Sequence, residues 1–425
     1  MYSLKLTERR KFAHIILLFK GCGLPDTSPP KKQQENAFSR LPWQAGAATL
    51  CRLILNTARR FAYPFAPALS RGLGVHLTAV TSLIAVNQAT SISGIFFGPL
   101  ADRFGYRLMM IAGLVMLVIG MFLGGFIPLY GVIVLAFFLA GLSKTVFDPA
   151  LQAYVGERVP FQRRGLVIGL LEFSWAGSTL VGIPGIALLI DRLGWRSPFF
   201  VLGGLGIFGI LILVILIPRD RRRTDAEQGS QSVLKVIQQL IKQRAPFGTL
   251  CFALFFSIAN DNLFVVYGAW LEGSFKLSIV ALGAVTSIIG AAELLGEGLT
   301  ASFGDRLGLK RSIIIGIILC AVCYLILPFS SQTLSLAFMG LFALFLLFEF
   351  TIVSSLSLST ELLPTSRATM MSGFFAAAGV GRVIGSLIGS HIWLAGGILA
   401  TGLVSGGICF LGLVSFLWGL HGRLQ

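Results

Sequence analysis

Charged side chains stand inside stretches that are otherwise apolar: Arg59, Arg60, Lys144, Asp148, Glu172, Asp261, Glu293, Glu297, Glu349 and Arg382. A charge at the centre of a membrane helix costs on the order of 2.5–3.5 kcal/mol on insertion scales, so those that persist are paired or face water. Lys144 and Asp148 are spaced i, i+4 on one helical face, which allows either a self-neutralising pair or a place on a polar path. Asp261 lies between Asn260 and Asn262. Three consecutive polar side chains fan over much of a helix circumference, so some of them must reach a cavity. Glu293 and Glu297 share a face as like charges, and the expectation is a structural role with a cation such as Arg306 answering them. Glu172 and Arg382 pair either with cavity residues or with their own neighbours. A carboxylate shut away from water with no cation beside it is disfavoured in its charged form, so proton binding is chemically available. Asp148, Asp261 and Glu172 are the candidate carriers. Other chemistry finds no foothold. HExxH, GxSxG and P-loop patterns are missing, and the only histidines are at 14, 76, 391 and 421. The reading is therefore no enzyme, no metal and no cofactor, with a proton gradient as the available energy source.

These groups need helices that cross a membrane. The chain has 425 residues, 55% hydrophobic and only 12% charged, and a mean hydropathy of +0.84. A soluble globule carries about a quarter charged residues, so lipid is the expected solvent. Apolar runs of about twenty residues recur, each long enough to cross roughly 30 Å of hydrocarbon. The expected spans are 46–70, 77–100, 107–127, 130–155, 164–190 and 197–218, then 247–271, 278–303, 310–329, 333–360, 366–395 and 397–420. This gives an all-α integral membrane protein of about twelve helices, in two six-helix halves (46–218 and 247–420) joined by a polar linker (219–246). Residues 1–45, polar, basic and rich in Gly and Pro, read as a disordered cytoplasmic tail or the product of a misassigned start; 421–425 form a second tail. Cys22, Cys51, Cys251, Cys320, Cys323 and Cys409 lie mostly inside spans, so no structural disulfide is expected, and Cys320-x-x-Cys323 reads as packing. The formal charge of +16 belongs to short loops and not to a nucleic-acid surface. Arg103, Arg107, Arg158, Arg163, Arg164, Arg219, Arg221, Arg222, Arg223, Arg306, Lys310, Arg311 and Arg367 occupy alternate loops, and the opposite set holds mainly Arg71, Arg192, Arg196 and Lys276. By the positive-inside rule both termini and the linker are cytoplasmic.

The halves repeat. At an offset of 204, Asn56, Tyr63, Glu157, Pro160, Arg163, Gly169, Gly177 and Gly185 fall on Asn260, Tyr267, Glu361, Pro364, Arg367, Gly373, Gly381 and Gly389. Six spans being even, both copies enter the membrane from one side and lie parallel, with a solute site between them. After span 2 stands Gly98-Pro99-Leu100-Ala101-Asp102-Arg103-Phe104-Gly105-Tyr106-Arg107, echoed after span 8 by Ala301-Ser302-Phe303-Gly304-Asp305-Arg306-Leu307-Gly308-Leu309-Lys310. This resembles the G-x-L-a-D-R-x-G-x-R/K loop signature of the major facilitator superfamily, over roughly residues 46–420. The echo departs from the pattern at Ala301.

The resemblance implies that Gly98, Asp102, Arg103, Gly105, Arg107, Asp305, Arg306, Gly308 and Lys310 latch the cytoplasmic ends of the halves. It also implies that helices 1, 4, 7 and 10 line the cavity, which places Arg59, Arg60, Lys144, Asp148, Asn260, Asp261, Asn262 and Glu349 there; Glu172 and Arg382 on helices 5 and 11 complete the candidate set. Gly169, Gly177, Gly182, Pro184 and Gly185 look like the glycine-proline antiporter motif of drug-efflux branches, with Gly177, Gly182, Pro184 and Gly185 as gating positions. The segment Asp191 to Phe200 resembles the family's short extracellular turn into helix 6. The helix-4 arginine linked to proton antiport in the family is replaced by Phe137. The expected function is alternating-access transport of a small solute, as proton-coupled efflux of amphiphilic or drug-like compounds, by a monomer in the lipid bilayer of the bacterial plasma membrane. Uptake or facilitated diffusion of an organic anion on Arg59 and Arg60 is the alternative within the class. A non-transporting membrane sensor is the alternative outside it.

Overall fold

A computed structural model describes residues 31–158, 171, 173–218, 240–363 and 367–421. The chain divides into residues 1–43 and 44–425. Of the first unit, the described part is the beginning of a helix that runs Lys31–Arg60. Residues 31–45, expected in a tail, are thus helical; all that follows concerns the second unit.

The described residues are helices, turns and short linkers. Span 1 is the membrane part of Lys31–Arg60, followed by a break and the helix Ala66–Leu73. Span 2 is Leu77–Ala89, a 3₁₀ turn at Thr90–Ser93, and Gly94–Phe104. Spans 3 and 4 are Tyr106–Phe126 and Tyr130–Arg158. Span 5 is described over Phe173–Leu193, and span 6 is Ser197–Leu216. Span 7 is Arg244–Phe264 with Tyr267–Phe275. Spans 8 to 10 are Ile279–Leu307, Leu309–Ile326 with a 3₁₀ turn to Gln332, and Leu334–Leu362. Spans 11 and 12 share one helical run, Arg367–Leu420, broken at Gly396 and Gly397, where Gly397 has φ 58°. Span 1 is the least apolar of the set because it carries Arg52, Arg59 and Arg60, which protein groups rather than lipid must satisfy.

The repeat is physical. Span 1 breaks after Arg60 and span 7 after Phe264, positions related by the offset of 204, and each break sets a tyrosine, Tyr63 or Tyr267, into the interior at 2% and 0% exposure. Their neighbours Pro64 and Gly268, also repeat mates, touch: a Cβ on Gly268 would run into the Pro64 carbonyl oxygen. The local symmetry axis therefore passes between these two residues. The turns after spans 2 and 8 match as well, with Gly105 at φ 95° and Gly308 at φ 78°, a region that glycine alone enters freely. Both are the glycines of the repeated loop signature.

Lipid supplies no hydrophobic drive between helices, so close packing of small residues must hold them. Gly381, Gly385 and Gly389 bring span 11 onto the backbone of span 7 at Leu254, Ile258 and Asn262. Their mates on span 5 behave differently. Gly177 faces Leu53 on span 1, as Gly381 faces Ser257, the repeat mate of Leu53. Beyond it Ser178–Gly182 forms a π-helical turn, which inserts one residue into the register. Gly182 consequently lands on Thr57, the mate of Asp261, as Gly385 lands on Asp261 itself. Gly185, expected to pair with Gly389 and to act in gating, has nothing within 4 Å of its Cβ position; the slipped register turns it away. Pro184 lies against Gly283 of span 8, the latter's Cβ position being 3.3 Å from the Pro184 Cα.

Candidate functional site

Three ionic groups stand inside the bundle, and two of them cross between the halves. The first crosses between them. Arg60 binds Glu293 of span 8 with both terminal nitrogens, at 3.2 and 2.6 Å, with both side chains only 5% exposed. Thr179 donates to the same carboxylate at 3.3 Å, and the guanidinium lies 4.2 Å over the Trp175 ring. The arginine loses its water shell here and recovers a bidentate partner and an aromatic face in exchange.

The second group is a chain of hydrogen bonds with one direction. Arg59 donates to the Gln88 Oε1. Gln88 donates through Nε2 to the Tyr63 hydroxyl at 2.7 Å. Tyr63, its oxygen so engaged, donates to Asp261 Oδ1 in the opposite half at 2.9 Å. Ser386 of span 11 adds a longer bond to that oxygen, at 3.4 Å. The break in span 1 makes this reach possible, because it swings Tyr63 off the helical line of Arg59 and Arg60. Phe264 packs beside Tyr63, Tyr267 and Phe345, with ring centroids 4.5, 5.2 and 5.3 Å apart.

The third group belongs to the first half. Lys144 binds Asp148 at 2.6 Å and Arg52 binds it at 3.2 Å. The i, i+4 pair expected on span 4 is present, and Arg52, one turn before Asn56, joins it and reaches the Leu171 carbonyl at 3.0 Å. Asp148 is thereby held by two cations of its own half.

Glu349 and Arg382 differ from these. Both are half-buried and neither makes a hydrogen bond or ion pair with a described residue.

The remaining expected positions divide. Asn262, assigned to the cavity, turns away from it and binds Ser405 at 2.9 Å and the Thr401 carbonyl at 3.3 Å on span 12; on a helix, the side chain after Asp261 points about 100° around the axis. Asn260 is half-buried, with an Oδ1 that meets no hydrogen-bond donor among the described residues. Glu293 departs from expectation most. It is central in span 8, and the cation that answers it is Arg60, from the other half. Glu172, the surroundings of Gly98 and the side chains of Asp102, Asp305 and Arg306 lie outside what the structure describes. Arg103 is exposed beside Phe104, Lys310 is half-buried, and Arg107 donates to the Val214 carbonyl of span 6 at 2.7 Å. The five described cysteines are free thiols.

The halves also meet at the end of the bundle that carries the turns at 74–76 and 276–278. Arg71 binds Glu272 at 2.6 Å, Thr81 and Ser390 share a hydrogen bond of 2.9 Å, and Ser287 donates to the Leu180 carbonyl at 3.2 Å. Gly283 and Gly290 lie against Ala187 and Thr179. Spans 2 with 11, and 5 with 8, are thus joined at this end.

Two like helical halves with an ionic core at their junction define a membrane carrier. Residues 48–259 and 247–423 match the Major Facilitator Superfamily in two overlapping stretches, and the chain belongs to it. The uncharacterised MFS-type transporter YwfA of Bacillus subtilis (strain 168) is 24% identical over 368 residues, 85% of this chain and 89% of the relative. The multi-drug resistance efflux pump PmrA homolog of Lactococcus lactis subsp. lactis (strain IL1403) is 26% identical over 371 residues, 84% of this chain and 88% of the relative. Among solved structures, the nucleoside transporter NupG superposes with a TM-score of 0.74 at 13% identity, covering 89% of this chain and 98% of that one. A bacterial homolog of the human lysosomal transporter Spinster gives 0.69 at 14%, covering 89% and 96%.

Proposed function

We propose that this transporter exports small amphiphilic solutes across the plasma membrane in exchange for protons, with Asp261 as the proton carrier. The observation that carries the reading is the directional chain from Arg59 through Gln88 and Tyr63 to Asp261. Every donor in it points toward one carboxylate, and the last bond crosses between the halves. A proton on Asp261 neutralises the terminal acceptor, so the bond from Tyr63 loses its charge assistance and the contact between halves weakens. Protonation and the opening of the bundle are then one linked equilibrium. Asp148, clamped by Lys144 and Arg52 within its own half, lacks that link.

An amphiphilic solute is supported by the aromatic surroundings (Trp175, Phe264, Phe345 and Tyr267), which suit apolar rings, and export by relatives named a multi-drug resistance efflux pump homolog and a multidrug resistance protein. Positive loop residues put both termini in the cytoplasm, so the joined end faces outward. Arg60 is already bound to Glu293, which leaves the organic-anion reading with Arg59 alone of its two cations.

The test uses inverted membrane vesicles loaded with a pH-sensitive dye, energised and offered a panel of amphiphilic aromatic solutes that spans cations, anions and zwitterions. Wild type is expected to release protons when solute is added. Asp261→Asn should lose this release while still letting solute equilibrate, and Asp148→Asn should retain it. Full release by Asp261→Asn would remove Asp261 from the role. Solute flux without release in wild type would replace antiport by facilitated diffusion.

A further inference from the structure

Among the described residues, every charged group so far placed at the junction has a hydrogen-bond or ion-pair partner except two, and these have opposite signs. Glu349 stands on span 10, its Cβ packed against span 8, where the Cβ position of Gly296 lies 2.9 Å away. Arg60, Glu293, Glu297 and Arg382 are within its electrostatic reach. Arg382 stands on span 11, one helical turn from Ser386, which touches Asp261; Arg59, Tyr63 and Asp261 feel its charge. Phe345, one turn from Glu349, and Phe264 form an apolar wall in the same region.

A carboxylate and a guanidinium left half-buried, each with no hydrogen bond or ion pair to a described residue, are costly in a bundle that otherwise pairs its charges. The arrangement is complementary to a solute that brings both missing partners. We infer that the transported solute is a zwitterion with an aromatic body, its ammonium taken by Glu349 and its acid group by Arg382. A purely cationic solute would leave Arg382 unanswered, and an anionic one would leave Glu349 so. This deepens the export reading by naming the substrate class of the same site, and it rests on that reading for its physiological meaning.

The test measures binding alone, with no gradient, so that proton coupling does not enter. Purified protein in lipid nanodiscs is titrated calorimetrically with 3-(2-naphthyl)alanine, with its methyl ester, which keeps only the ammonium, and with its N-acetyl derivative, which keeps only the carboxylate. The parent is expected to bind about tenfold or more tighter than either derivative, the value of one charge-assisted contact. Glu349→Gln should bind parent and N-acetyl derivative alike, and Arg382→Gln should bind parent and ester alike. Retained binding of the derivative that each variant can still hold shows that it is folded. Equal affinity for all three compounds in wild type, no heat with the parent up to its solubility, or an undiminished preference in Glu349→Gln overturns the inference. If this pattern holds while vesicles release no protons, only the coupling reading falls; if release occurs and the pattern fails, only the zwitterion reading does.

Discussion

Arg60→Leu should lower the stability of the bundle by about 3–5 kcal/mol, because it leaves the Glu293 carboxylate buried with no cation. Glu293 is 4% exposed and its remaining hydrogen bond, from Thr179, is long. The substitution also removes the cation from the face of Trp175. Burial of the pair argues for a large effect where a surface pair such as Arg71–Glu272, with side chains 58% and 26% exposed, should contribute about 1 kcal/mol or less. The double variant Arg60→Leu/Glu293→Leu should recover most of the loss, since replacing both partners by apolar groups avoids the stranded charge. It should nevertheless transport poorly, because the pair ties span 1 to span 8 across the halves. Apparent melting temperatures in detergent, taken together with solute flux, check both statements. A single variant that melts with wild type would show that the pair does not hold the halves.

Gly268→Val should abolish transport while leaving each half folded. The added carbons would meet the Pro64 carbonyl where the repeat axis passes between the halves, and neither backbone can retreat without moving its span. Overpacking of this kind typically costs about 1–3 kcal/mol, charged here entirely to the state in which that end is joined. The protein is thus expected to accumulate with the end open, readable as faster labelling of a cysteine placed at Ser390. Gly273→Val, at a position with nothing within 4 Å, should be silent. Normal flux in Gly268→Val would mean that the joined end is not visited during transport.

Much of this was legible from residues alone. About twelve spans were expected from apolar length; among the described residues nine helices, or ten if a bent pair is one span, are long and apolar enough to cross a membrane, and the expected boundary between 366–395 and 397–420 falls on the break at Gly396 and Gly397. Asp261, the Lys144–Asp148 pair and the loop glycines Gly105 and Gly308 were likewise announced by type and spacing. Partners across the halves were not. Glu293 and Glu297 share a helical face, and periodicity says nothing of which distant helix faces it, so Glu293 was read as structural. The excess of cations on span 1 beside an excess of carboxylates on span 8 was the available signal. Arg52 was passed over because it lies about two turns before the more prominent Arg59 and Arg60. Gln88 was overlooked because an uncharged amide in an apolar span raises no alarm. The slip at Gly185 comes from the π turn at Ser178–Gly182, which no spacing argument on an ideal helix can foresee.

The account centres on the halves separating and rejoining at the end where Thr81 meets Ser390, their hydroxyl oxygens 2.9 Å apart. The direct measurement is solute flux in vesicles carrying Thr81→Cys/Ser390→Cys, with the native cysteines replaced by alanine, before and after oxidation. The account predicts that the two thiols join readily, that the cross-linked protein carries no solute, and that reduction restores flux. Undiminished flux by fully cross-linked protein would contradict it.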